Sequence, residues 1–153
     1  MRVTKPQHHY FWLFYGTALT ILLLDQLTKY LIFITKPEWT WGFITIHYVT
    51  NTGAGFSILQ GKTFLLGIIS LIAAGIIIHQ YKTFPQHRWF QIFLGLIMGG
   101  ILGNMLDRFL RGSVIDFIDL SFWPVFNVAD AAICVGIVGI IIYYFREERN
   151  SKK

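Results

Sequence analysis

The segment 112–130 reads GSVIDFIDLSFWPVFNVAD and holds three carboxylates, Asp116, Asp119 and Asp130, among Val, Ile, Phe, Trp and Pro. The whole chain has only eight acidic residues, so the concentration here is high. A carboxylate in such surroundings is unfavourable unless a partner or a chemical role compensates it. Neither Asp116 nor Asp130 has a cation three or four positions away in its own segment. Two such groups brought together would not both ionise readily. One would keep a proton while the other stayed charged, and the pair would titrate as a unit. One member can then activate a water while the other protonates a carbonyl or a leaving amine. Peptide-bond hydrolysis needs that division of labour. Asn127, three residues before Asp130, shares its helical face and is placed to orient a carboxylate or a substrate amide.

Other polar residues have plainer readings. Asp25 and Lys29 form an i,i+4 pair whose first role is mutual neutralisation and positioning. Asn104, Asp107 and Arg108 share one helical face, where Arg108 can pair with Asp107 or another carboxylate. Gly99, Gly100 and Gly103 permit close helix approach. His47 and His79 lack the local partners of a metal site, and His8 and His9 read as solvated tail. Ser57, Ser70, Ser113 and Ser121 have no identifiable base. The single cysteine, Cys134, excludes an intrachain disulfide and reads as a small buried hydrophobe.

The elements that must position these groups belong to a membrane protein. The 153 residues are 54% hydrophobic and 14% charged, against roughly 25% charged in soluble domains. The net charge of +5 forms no basic face, which argues against nucleic acid and for membrane orientation. The expected fold is an all-α polytopic bundle in one integral membrane domain. Its four transmembrane helices fall at about 10–34, 63–80, 89–106 and 127–145. The first is too long for a signal peptide and no small-residue cleavage site follows, so it reads as retained. With both termini cytoplasmic, eight Lys and Arg flank the inner side (Arg2, Lys5, Lys82, Arg88, Arg146, Arg149, Lys152 and Lys153). Five flank the outer side (Lys29, Lys36, Lys62, Arg108 and Arg111). The outer loops are then about 35–62 and 107–126. Alternating apolar and polar residues in the first suggest one or two short strands, with Trp39, Trp41 and Tyr48 at headgroup level. Asp25, Lys29, Asn51, Asn104, Asp107, Arg108, Asp116, Asn127 and Asp130 all gather towards the outer end.

In order, DQLTKYLI (25–32), NTGAGFSIL (51–59), GGILGNMLDRFLRGSVIDFID (99–119) and FNVADAAI (126–133) carry a resemblance over essentially the whole chain. It resembles the bacterial lipoprotein signal peptidases (signal peptidase II), aspartic proteases of the cytoplasmic membrane. The first two motifs are weakly specific, the last two highly so. The resemblance implies a catalytic dyad of Asp116 and Asp130, with supporting roles for Asp25, Lys29, Asn51, Gly53, Asn104, Asp107, Arg108, Asn127 and Ala129. Asn51 and Gly53 would come from a β-rich extracytoplasmic cradle between the first two helices, and Asp119 would be structural. The implied substrate is a diacylglyceryl-modified prolipoprotein, cut before its lipidated cysteine near the extracytoplasmic face. A monomer working among membrane lipids, without metal or cofactor, is expected, and the aromatic outer loop would act as a lid. Two rivals compete. A small transporter or channel subunit would distribute polar residues through the membrane depth, whereas the middles of the second and fourth helices are apolar. A non-catalytic scaffold would use the acids as helix–helix glue.

Overall fold

Long apolar runs fold as helices because a helix satisfies every internal backbone N–H and C=O by itself, which a bilayer demands. In this computed structural model, residues 10–53 and 59–152 are described. Outside them lie Arg2, Lys5, His8, His9 and Lys153, and also 54–58 of the outer-loop motif, including Ser57 and a short stretch of the suggested lid.

Helix α1, Phe11–Thr35, ends at Lys36, which takes a left-handed cap (φ 42°) and returns its N–H to Ile32 O before Pro37 blocks continuation. Strands β1, Glu38–Trp41, and β2, Ile44–Asn51, form a hairpin turned at Gly42 (φ 58°). Helix α2, Thr63–His79, leads through a 3-10 turn, Tyr81–Thr83, to α3, Arg88–Leu110. Strand β3, Val114–Asp119, follows, and α4, Val128–Ser151, completes the described chain.

Among the described residues three helices, α1, α3 and α4, are long and apolar enough to cross a membrane. The 17-residue α2 is apolar but shorter, about 26 Å at 1.5 Å per residue. Two bounds move relative to expectation. Helix α3 runs on past 106 to Leu110, so the outer connection starts later than 107 and Asn104, Asp107 and Arg108 all lie on the helix, as their shared face implied. Helix α4 continues through REERNS, whose Arg and Glu are good helix formers.

Helix α3 is the hub and packs on each of the other three. Small residues make this contact close. A Cβ at Gly99 would lie 2.6 Å from Ala18 O on α1, and one at Gly100 would lie 2.4 Å from Ala129 O on α4. Phe14, Ala18, Phe90, Leu94 and Met98 fill the core beneath. The outward faces stay apolar, with Leu19, Leu23, Leu27 and Leu31 of α1 exposed in a row, as a lipid-facing helix requires.

The sheet departs from expectation. It is antiparallel with order β1-β2-β3, so its third strand comes from the α3–α4 connection rather than from the segment between α1 and α2. Val114, Ile115, Asp116 and Phe117 are all buried, so β3 shows no polar alternation to betray it. One extra residue in β2 between Ile46 and Val49 makes a bulge, after which Val49 pairs with Asp116 and Asn51 with Val114. Residues 120–126 then fold back, and Phe126 bonds to Ile118 just before α4 begins.

Candidate active site

A buried ion cluster underlies the site. Asp25, Lys29 and Asp107 are each 0% exposed. The Lys29 ammonium has three donors and three partners: Asp25 Oδ2 at 2.8 Å, Asp107 Oδ2 at 2.9 Å and Asn104 Oδ1 at 2.9 Å. Arg111 pairs with Asp107 from the rim, and Gln26 Nε2 bridges Asp25 and Asp107 at 3.2 Å each. Two carboxylates thus face two cations, which is the condition for tolerating buried charge.

Each carboxylate of the cluster also grips backbone. Asp107 Oδ2 accepts from Ile115 N at 3.3 Å, and Asp25 Oδ1 accepts from Ala129 N at 2.9 Å. Ile115 and Ala129 immediately precede Asp116 and Asp130. The cluster therefore fixes the backbone that aims both aspartates.

Three asparagines hold the two carboxylates, and each has its amide orientation set by a second contact. Asn104 Oδ1 accepts from Lys29 and from Asn127 Nδ2 (3.1 Å), which turns Asn104 Nδ2 onto Asp130 Oδ1 at 2.8 Å. Asn127 Oδ1 accepts from Asp130 N at 3.0 Å, so its Nδ2 donates to Asp116 Oδ1 at 2.7 Å. Asn51 Oδ1 accepts from Gly53 N, and its Nδ2 donates to Asp116 Oδ2 at 2.9 Å. Asp130 Oδ2 takes the Asn127 N–H at 3.2 Å and completes a capping box that starts α4.

Asp116 is 2% exposed. Burial pushes its carboxyl up to about 6; the Asn51 donation opposes this, the Asp130 charge adds to it, and Asn127 and Lys29 pull it down. None of the ion pairs among the described residues includes Asp116 or Asp130. Both line a cavity of about 250 Å³ together with Asn51, Asn104, Arg108 and the 123–126 turn. Arg108 does not pair with Asp107, whose acceptors are taken by Lys29 and Arg111. It donates to Gly53 O (3.4 Å) and Asn104 O (3.5 Å), and its Nε is buried without a partner. Two hydrogen-bonded carboxylates, one guanidinium and an apolar wall form a site suited to acid–base attack by water on an amide.

The sequence of the family described as Signal peptidase (SPase) II matches residues 17–146. The chain belongs to the signal peptidase II family. A lipoprotein signal peptidase of Halalkalibacterium halodurans is 39% identical over 92% of this chain and 97% of its own length. Another, from Listeria monocytogenes, is 37% identical over 91% and 97%. A bacterial membrane enzyme solved by the in meso method at 2.3 Å shares 31% identity with a TM-score of 0.81, covering 88% of both chains. A second, solved at 1.9 Å, shares 33% with a TM-score of 0.74, covering 84% of this chain and 89% of its own.

Of the residues named from the sequence, Asn51, Asn104, Arg108, Asp116 and Asp130 line this cavity, while Asp25, Lys29, Asp107 and Asn127 join the hydrogen-bond network behind it. Gly53 is buried beside Asn51, and Ala129 is 0% exposed. Asp119 stands apart: Oδ1 accepts from Ser121 N at 2.7 Å, and Oδ2 lies 3.3 Å from His47 Nε2. One reading is overturned. Cys134 is exposed and lines the cavity, because an apolar helix in a membrane turns much of its surface outward rather than into protein. Gln26, Arg111, Ile133 and Pro124 were not anticipated. Arg111 stands at i+4 from Asp107, a spacing that could have revealed its pairing.

Proposed function

We propose that this chain is an aspartic endopeptidase that removes signal peptides from diacylglyceryl-modified prolipoproteins, cutting just before the lipidated cysteine. The observation that carries this reading is the pair Asp116 and Asp130, outside every ion pair among the described residues and held by oriented amides on one cavity. Asp130 acts as the base and takes a proton from water as its oxygen attacks the scissile carbonyl carbon. Asp116, the carboxyl whose burial favours the protonated form, donates to the carbonyl oxygen. Proton return to the nitrogen then breaks the C–N bond, leaving a carboxylate on the signal peptide and an amine on the lipidated cysteine. Asn104 and Asn127 keep the carboxylates aimed, and the Arg108 charge favours retention of one negative charge in the pair.

The chain works as a single membrane domain and a monomer. All four helices cross the bacterial cytoplasmic membrane with both termini in the cytoplasm and the dyad near the outer face. The sheet with its exposed Trp39 and Trp41 rests at the headgroup layer, where lipid acyl chains of the substrate remain in the bilayer. Mass analysis of products from purified protein tests this. A diacylglyceryl prolipoprotein should yield a fragment beginning at the lipidated cysteine, while the unlipidated precursor stays intact. Equal cleavage of both, or a cut elsewhere, overturns the specificity.

A further inference from the structure

Helices α1 and α2 both lean on α3, yet among the described residues they are not packed broadly on each other. An apolar slot of about 210 Å³ opens between them, walled by Leu19 and Leu22 of α1 and Ile78 of α2 and floored by Met98 and Leu102 of α3. Tyr15 and Ile78 also line a second cavity of about 460 Å³, so the two adjoin. This second cavity sits at the end of the bundle opposite Asp116 and Asp130.

Among the described residues its lining includes His79, Tyr81, Lys82 and Gln86 and no acidic residue. The Tyr81 ring is held by Phe11, Phe14 and Tyr15 at 6.3, 5.0 and 6.1 Å. Its hydroxyl is nevertheless buried without a hydrogen-bond partner among the described residues, and so is Gln86 Oε1. A buried polar atom left unpaired calls for an explanation. Lys82 enters none of the ion pairs among the described residues. One cation on the cavity wall, with one orphaned O–H donor and one orphaned acceptor buried behind that wall, therefore adjoins a hydrocarbon slot.

We propose that this composite pocket holds one anionic glycerophospholipid, its phosphate against Lys82 and an acyl chain in the slot between α1 and α2. On binding, the Tyr81 and Gln86 side chains turn to bring their buried hydroxyl and Oε1 to the headgroup. On the topology proposed above the lipid comes from the cytoplasmic leaflet, but binding itself requires neither that orientation nor peptidase activity.

Native mass spectrometry of the full chain in detergent, titrated with phosphatidylglycerol or with phosphatidylcholine of the same acyl chains, tests it. Saturable binding of one phosphatidylglycerol is expected, tighter than phosphatidylcholine. Lys82→Gln should weaken it on the order of fivefold to tenfold, and Leu19→Trp, which fills the slot from its exposed wall, should weaken both lipids. Lys62→Gln at the other end of α2 should leave binding unchanged, and lipid-free thermal unfolding checks that each variant is folded. Equal retention of the two lipids, or no difference between Lys82→Gln and Lys62→Gln, overturns the proposal. So does a wild type that binds none while a chain lacking residues 1–9 does, because the pocket then belongs to the protein's own N-terminal segment.

Discussion

Asp116 illustrates how one carboxyl can be tuned by its surroundings. Its value rises from 3.8 to about 6, first through burial. A raised carboxyl value means that the folded chain binds this proton more tightly than the unfolded chain. The resulting stability is fully present below about pH 3.8 and is lost as pH rises through about 6. If Asp116 is the proton donor, kcat/KM should fall on the alkaline side with an apparent midpoint near 6, since that ratio reports the free enzyme. A profile flat from about pH 5 to 8 contradicts the assignment. Lys29 belongs to the same scale. Lys29→Met leaves Asp25 buried and unpaired and should destabilise by about 3–5 kcal/mol. Adding Asp25→Asn should recover much of that loss in thermal unfolding, and strict additivity of the two changes would refute the coupling. The residues of this cluster were legible as sequence motifs. Apart from the i,i+4 pairing of Arg111 with Asp107, their wiring was not, because Lys29 meets Asn104 and Asp107, and Arg108 meets Gly53, across long sequence separations.

At the scale of elements, glycine sets the distance between α3 and α4 and hence between their polar side chains. A methyl at Gly100 meets Ala129 O at 2.4 Å, next to Asp130, whereas one at Gly75 meets nothing within 4 Å. Gly100→Ala should therefore cost about 1–3 kcal/mol and reduce cleavage. Gly75→Ala should be neutral or stabilise by up to about 1 kcal/mol. Equal thermal midpoints for the two variants would show that α3 and α4 do not depend on that contact. The helices could be read from apolar run length. Strand β3 could not, since burial of four successive residues erases the alternation on which strand reading depends. The capping box of Asn127 and Asp130 was available as an Asn-x-x-Asp spacing, and it gives Asp130 a structural duty beside the chemical one.

For the whole molecule, the path of α2 decides the topology. Its 17 residues are short for a hydrocarbon core of about 30 Å, yet local thinning or flanking residues can accommodate such a helix. With Cys134 changed to alanine, single cysteines at Gln60 and Thr83 bracket α2. A membrane-impermeant maleimide applied to intact cells should label Gln60→Cys and spare Thr83→Cys. Labelling of both from outside would show that α2 does not cross. Composition and charge placement made the membrane class legible. They could not show that one ion cluster ties α1, α3, β3 and the start of α4 into a single support, because those contacts join residues remote in sequence.

The most direct measurement compares cleavage of a diacylglyceryl prolipoprotein by wild type, Asp116→Asn, Asp130→Asn and Asp119→Asn, each checked for folding by thermal unfolding. Loss on the order of 10³-fold or more in the first two variants, with near wild-type rates for Asp119→Asn, is the predicted result. Substantial cleavage by a folded Asp116→Asn or Asp130→Asn protein would contradict the dyad.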